Sequence, residues 1–254
     1  MNTILITGAA HGIGLATAKR YATQGWFVGM YDINREGLNT LLESGDFPNA
    51  CGDYCDVTDI ESIRAMFEHF SSHTDGRLDL LVNNAGVLSA GHFEDIDHES
   101  HDRMVNVNVA GATNTLQAAF PLLKQTPGAT VVNLCSASSI HGIPRLAVYS
   151  ASKFYVNGLT EALDLEWRKH DIRVTSVKPP VINNPMGLAV ADEMPQKLGI
   201  SLSSEDVAEH IQRAAEGRGT SFPMGTATKG WYWIDKLLPN ALRSRLTKYL
   251  AGHQ

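Results

Sequence analysis

The chain has 254 residues, 43% hydrophobic and 19% charged, with 21 Lys and Arg against 27 Asp and Glu and a formal net charge of −6. This composition excludes a disordered chain and lacks the basic excess of a nucleic-acid binder, and no apolar run approaches the ~18 residues of a membrane-spanning helix. The first strand pattern begins at Ile4, which leaves no room for a signal or transit peptide; the three cysteines, Cys51, Cys55 and Cys135, are too few for a disulfide framework. The expectation is a cytoplasmic protein in a reducing compartment.

Residues 3–7 read as a buried strand and 13–23 as a helix; 26–31 and 35–43 repeat the pattern. A strand near 50–55, a helix from 59 to about 72 and a strand at 78–82 follow. One long helix is predicted over 99–124, then a strand at 130–135, a helix from 147 to about 169 and a strand at 172–177. A helix opens at Ser204, with Ser203 or Ser204 as its cap, and 219–224 holds a last strand. Apolar strands alternating with helices at this spacing mean parallel βαβ units covered on both faces. The predicted fold class is α/β: a single-domain, doubly wound parallel sheet over residues 1–226, a substrate loop at 183–203, and a C-terminal amphipathic extension over 227–254.

The first strand runs into Thr7-Gly8-Ala9-Ala10-His11-Gly12-Ile13-Gly14, and a helix follows. Glycines allow a tight turn and close approach to a pyrophosphate, and the helix N-terminus offers free N–H groups. Gly8, His11, Gly12, Ile13 and Gly14 are therefore candidate cofactor contacts. Asp32 ends the second strand, where an acid accepts hydrogen bonds from ribose hydroxyls and repels a 2′-phosphate. His11 and Arg35 are the nearby groups that would favour a phosphate; Arg35 reads as a solvated residue in a first helical turn. The balance favours NAD over NADP.

Four motifs then stand in order: Thr7–Gly14, Asn83-Asn84-Ala85-Gly86, Ser136, and Tyr149-Ser150-Ala151-Ser152-Lys153. With Asp56-Val57 and Asn108, they resemble the short-chain dehydrogenase/reductase family over residues 2 to about 225. The resemblance implies a Rossmann sheet of order 3-2-1-4-5-6-7 and nicotinamide-dependent interconversion of alcohols and carbonyls. It also implies that Asp56 and Val57 border the adenine, that Asn84 and Ala85 line the crevice, and that the backbone at Ile182 holds the nicotinamide carboxamide. Pro179-Pro180 stands where the family has Pro-Gly, and Asn184 where it has Thr. The paired long helices of the family imply a homo-oligomer, dimer or tetramer.

Tyr149 and Lys153 are spaced i, i+4 and share a helical face. A free tyrosine titrates near pH ~10, and lowering it by ~2–3 units requires ~3–4 kcal/mol. An ammonium ~4 Å away supplies ~4 kcal/mol at an effective dielectric of ~20. Tyr149 is thus expected to act as general acid/base, tuned by Lys153, and the family lysine also binds the nicotinamide ribose. Within the resemblance, Ser136 stabilises the reacting oxygen, and Asn108, preferred to Asn106, belongs to a proton relay. Ser138, His92 and His141 are further candidates for substrate contact. No metal is called for: Cys51 and Cys55 lack a second pair of ligands, and the ten histidines read mostly as surface residues.

The loop carries Pro185, Met186, Leu188, Val190, Met194, Leu198, Ile200 and Leu202, which suits an apolar substrate or a lid packed on its own domain. In the tail, Trp231, Ile234 and Leu238, then Leu242, Leu246 and Leu250, recur at helical spacing among Lys229, Lys236, Arg243, Arg245 and Lys248, with Pro239 between two short helices. Packing on the protein's own domain or a partner subunit is preferred to a peripheral membrane contact. The functional expectation is an NAD(H)-dependent oxidoreductase. The alternatives are an NADP-dependent carbonyl reductase and a cofactor-binding regulatory protein without turnover.

Overall fold

Strand β1 (Thr3–Thr7) is buried along its whole length, with Ile4 and Ile6 in one apolar layer and Leu5 in the opposite one. That two-sided burial is what a central parallel strand requires. The computed structural model describes residues 1–193, 202–237, 239 and 242. After β1 come α1 (Gly12–Thr23), β2 (Phe27–Asp32), α2 (Arg35–Glu43), β3 (Ala50–Tyr54), α3 (Ile60–Thr74) and β4 (Leu80–Asn83). The chain continues through α4 (His98–Val105), a π-helical turn (Asn106–Gly111), α5 (Ala112–Gln125), β5 (Thr130–Leu134), α6 (Ala147–Trp167) and β6 (Arg173–Lys178). It then forms α7 (Pro185–Glu193), α8 (Ser204–Glu216), β7 (Ser221–Pro223) and α9 (Thr226–Leu237).

The seven strands form one sheet of order β3-β2-β1-β4-β5-β6-β7, every neighbouring pair parallel. This is the doubly wound order that the family resemblance implies. Helices α1 and α8 cover one face, where Ala18, Tyr21, Val207 and Ile211 meet Ile4, Ile6, Val28, Val82 and Val132. Helices α3 and α5 cover the other, where Phe67, Phe70, Leu116 and Leu123 meet Leu5, Tyr31, Leu81 and Val131. The helix starts are fixed locally. Asn34 accepts from the Gly37 N–H at 3.0 Å, Asp59 accepts from the Glu61 N–H, and Ser203 forms a reciprocal capping box with Asp206.

Two expectations change. The long helix predicted over 99–124 is interrupted by the π turn, a device common at functional positions. In α9 the helical period holds but its phase differs. Thr228 and Asp235 are the buried positions, Trp231 and Tyr232 are half-buried, and Ile234 faces out. The reason is polar anchoring: Asp235 Oδ1 lies 3.2 Å from His141 Nδ1, and Tyr232 is hydrogen-bonded to Ser221. Met194, Leu198 and Ile200 of the predicted lid lie outside the described residues, as do Leu238, Arg243, Arg245, Leu246, Lys248 and Leu250 of the tail. Among the described residues no helix is long and apolar enough to cross a membrane.

Candidate active site

The sheet order reverses between β1 and β4, and the loops that follow these two strands are locked together there. Thr7 Oγ1 accepts from the Asn84 and Ala85 N–H groups, each at 3.1 Å. The Asn84 amide donates to the carbonyls of Thr7 at 2.9 Å and Gly8 at 3.0 Å. Gly8 and Gly12 hold φ of 69° and 55°, the left-handed region that glycine occupies without strain. At Gly14 a Cβ would fall 2.0 Å from the Gly8 carbonyl oxygen, so only glycine lets α1 pack this close to the turn. A Cβ on Gly12 would meet nothing nearer than Asn184 Nδ2 at 3.9 Å. The result is a bare backbone cradle at a helix N-terminus, in the crevice at a topological switch point.

Asp32 is buried beside this cradle and fully engaged by backbone. Its Oδ2 accepts from the Ala10 N–H and its Oδ1 from the Asn34 N–H, both at 2.9 Å. Burial opposes the charge, but His11 and the two N–H donors outweigh it and hold the carboxyl below its ordinary range. His11, itself exposed, places Nδ1 3.7 Å from Asp32 Oδ2; that contact raises the imidazole pKa, and burial offsets part of the rise. Arg35 is turned away, 3.6 Å from Asp53 and over the Tyr54 ring. Asp56 folds into a local turn by accepting from Thr58, and Val57 is buried against Gly111, where a Cβ would come within 2.8 Å.

Across the cleft, Ser136 lies two residues past the end of β5 and its hydroxyl is hydrogen-bonded to the Tyr149 phenol. Ser136 Oγ also accepts from the Ser138 N–H at 3.2 Å, which holds the hydroxyl in place. Lys153, one turn after Tyr149 on α6, is buried; its Nζ donates to the Leu134 carbonyl at 2.8 Å and sits 5.6 Å from the centre of the Tyr149 ring. Burial pushes Tyr149 up to about 12, with Ser136 working in the opposite direction, and burial lowers Lys153. The Leu134 carbonyl holds the Lys153 ammonium in place beside the tyrosine ring without neutralising its charge.

Asn108 is buried in the π turn and Asn106 is exposed. The Asn108 side chain accepts from the Val87 N–H and donates to the Val87 carbonyl, both at 2.8 Å, and donates to Ser152 Oγ at 3.1 Å. It thereby ties the loop after β4 to α6. Gly86 separates it from Lys153: a Cβ there would lie 3.2 Å from Asn108 Oδ1 and 3.5 Å from Lys153 Nζ. Ile182 is buried in the opposite wall, and its carbonyl accepts from the Asn184 N–H at 2.9 Å. Asn184 Oδ1 in turn accepts from the Gly187 N–H at 2.7 Å, so its amide group caps α7 while Nδ2 faces the Gly12 turn. One cleft is lined by Gly8, His11, Gly12, Ile13, Asn84, Ala85, Ser136, Tyr149, Lys153 and Ile182.

A family model described as short chain dehydrogenase matches residues 2–195. The chain belongs to the short-chain dehydrogenase/reductase family. Among curated members, it is 34% identical to D-threitol dehydrogenase of Mycolicibacterium smegmatis over 185 residues, 72% of this chain and 71% of the relative. It is 35% identical over 195 residues to a 3-oxoacyl-(acyl-carrier-protein) reductase of Thermotoga maritima, covering 76% of this chain and 77% of the relative. A solved 3-ketoacyl-(acyl-carrier-protein) reductase from Brucella melitensis complexed with NADH superposes with a TM-score of 0.78 at 29% identity, covering 88% of this chain and 96% of that one. As a member of this family, the chain is an oxidoreductase acting on alcohol or carbonyl groups of small molecules.

For a short-chain dehydrogenase/reductase, the remaining candidates sit off the cleft. His92 is exposed, His141 is paired with Asp235, and Ser138 is buried with its hydroxyl meeting no hydrogen-bond partner among the described residues. Sequence reasoning passed over Thr7, the Leu134 carbonyl and Ser152, which orient Asn84, Lys153 and Asn108. Thr7 and Ser152 lie inside the quoted motifs, so their signal was present. The Leu134 carbonyl, as backbone, carries none.

Proposed function

We propose that this short-chain dehydrogenase/reductase transfers a hydride between NAD(H) and an apolar alcohol or carbonyl compound, with Tyr149 as general acid/base. The observation that carries the reading is the hydrogen-bonded Ser136–Tyr149 pair, which shares a cleft with Lys153 and the glycine turn. The cradle fits a dinucleotide: Gly8, Gly12 and Gly14 leave space where a Cβ would intrude, and free helix N–H groups stand above it. Gly8, His11, Gly12, Ile13, Gly14, Asp32, Asp56, Val57, Asn84, Ala85, Tyr149, Lys153 and Ile182 would hold the cofactor. When bound, the nicotinamide supplies the hydride acceptor or donor.

The remaining chemistry falls to side chains. Tyr149 Oη takes the hydroxyl proton of an alcohol, or gives it to a carbonyl. Ser136 Oγ hydrogen-bonds the reacting oxygen as charge develops on it. Lys153 supplies positive charge, and Asn108 keeps the Lys153 side of the cleft in register through Val87 and Ser152. Leu88, Leu146, Val181, Met186 and Val190 line the substrate side, which supports an apolar substrate.

Asp32 supports NAD, since its held charge repels a 2′-phosphate and Arg35 is engaged elsewhere. The raised pKa of His11 is the observation favouring the second reading, an NADP-dependent reductase. A homo-oligomer located in the cytoplasm completes the proposal. The test is a panel of alcohols and ketones followed by NADH absorbance, with NADP(H) in parallel. Turnover with NAD(H) at the higher efficiency is expected. Equal or better use of NADP(H) selects the second reading, and cofactor binding without turnover on the panel overturns the enzyme reading.

A further inference from the structure

Away from the cleft, at the β3 edge of the sheet, three metal-binding side chains converge. Cys51 projects from β3 into the α3 layer and is buried. His69 and His73 lie one turn apart on α3, the i, i+4 spacing that places two imidazoles on one helix face. One ligand atom from each of the three lies within 4.8 Å of the other two. The trio contains no carboxylate and shares no residue with the cleft.

The surroundings orient these donors. Tyr31 Oη is 2.9 Å from His69 Nδ1 and 3.5 Å from Cys51 Sγ, so one buried hydroxyl touches two of the three. His73 Nδ1 is 2.9 Å from the His69 carbonyl, an acceptor, so that nitrogen carries the proton and Nε2 keeps its lone pair. The His73 ring stacks on Phe27 with centroids 6.3 Å apart and planes at 23°, and lies 4.7 Å from the His69 ring. Hydrogen bonds to ligating imidazoles from such neighbours fix ring orientation in metal sites.

We propose that Cys51, His69 and His73 form a binding site for a divalent transition-metal ion of the zinc class. Cys51 binds as thiolate and both histidines as neutral imidazoles, and water fills the fourth tetrahedral position. The thiol proton leaves to solvent; no bond to carbon changes and no electron moves. Zinc bonds of about 2.0–2.3 Å require ligand atoms roughly 3.3–3.8 Å apart, so the trio needs to close by at most about 1.5 Å. His73 is exposed and can rotate to do so. Mixed sulfur and imidazole donors select zinc-class ions over magnesium or calcium, which take oxygen. The ion would pin α3 to the edge strand whose end leads into Asp56 and Val57.

The test uses the full, tag-free chain, stripped with chelator and titrated with zinc chloride, then with cobalt(II) as a spectroscopic stand-in. One equivalent of zinc is expected to bind with micromolar or tighter affinity. The cobalt form shows a thiolate-to-metal charge-transfer band that Cys51→Ser abolishes. His73→Ala, at an exposed position, keeps the circular dichroism spectrum and weakens zinc binding roughly tenfold or more. Zinc at about 100 times Kd raises Tm by about 5–10 °C. Absence of stoichiometric binding, a cobalt spectrum without the thiolate band, or undiminished affinity in His73→Ala overturns the proposal.

Discussion

Replacing Tyr149 with Phe separates proton transfer from everything else the side chain does. Phe keeps the ring in its place on α6 and loses only the hydroxyl bonded to Ser136. General acid/base catalysis contributes about 10²–10⁴ in rate, which corresponds to about 3–5 kcal/mol of barrier. The stability change is far smaller. One hydrogen bond is worth about 1 kcal/mol, and removing a buried hydroxyl offsets part of it, so Tm moves by less than about 4 °C. The kcat of Tyr149→Phe therefore falls at least ~100-fold while NADH binding, read by fluorescence titration, stays close to wild type. The pH dependence has a definite sign. Burial pushes Tyr149 up to about 12, so near neutrality the phenol holds the proton that carbonyl reduction consumes. Alcohol oxidation needs the phenolate, so its rate climbs with pH between about 7 and 10 while reduction does not. NADH absorbance in both directions measures this. A variant retaining more than a tenth of the wild-type kcat, or oxidation that is flat with pH, refutes the assignment.

Asp32→Ala removes the buried charge at the end of β2, and the ratio of catalytic efficiencies with NAD and NADP narrows; an unchanged ratio counts against the role given to Asp32. Gly14→Ala drives a Cβ into the Gly8 carbonyl, 2.0 Å away, and is expected to cost about 3 kcal/mol or to abolish NADH binding, measured by melting and titration. Asp164 is buried and accepts from Arg168 at 2.7 Å and Thr220 at 2.9 Å, so Asp164→Ala lowers stability by about 2–3 kcal/mol in denaturant titration. Burial works against the Asp164 charge, but these donors hold its pKa below the ordinary value, so the wild-type contribution is complete above about pH 4 and is lost as acid titrates the folded carboxyl. Removing residues 227–254 lowers Tm or changes the oligomeric state seen by light scattering; salt-sensitive binding of the intact chain to anionic vesicles, lost on truncation without loss of stability, would favour the interfacial alternative.

Much of the fold was legible because parallel strands announce themselves as short apolar β-branched runs, and Thr3–Thr7 and Thr130–Leu134 do so plainly. The cradle was legible because its glycines serve a local backbone need. What sequence could not carry was any relation set by backbone or by phase. The Leu134 carbonyl that takes the Lys153 ammonium has no side-chain signature. In α9 the apolar spacing pointed to Ile234, yet Asp235 turns inward because His141 stands across the fold to meet it. Cys51 was paired in sequence with Cys55, whereas the sheet sets it beside His69 and His73.

The π turn between α4 and α5 makes the count of residues there as consequential as their identity. A wide turn accommodates one residue more than the surrounding α-helix would. Deleting a single position within Asn106–Gly111 would let this stretch close into α-helix while α4 and α5 keep their facing, because the wide turn had absorbed the extra residue. The side chains inside the turn would be re-aimed, and Asn108 would lose its place against Val87 and Ser152. Any engineering that trims or grafts loops on this scaffold thus has a forbidden interval in the middle of a helix, where a frame-preserving deletion of one codon leaves both helices in place and removes the asparagine that ties the loop after β4 to α6.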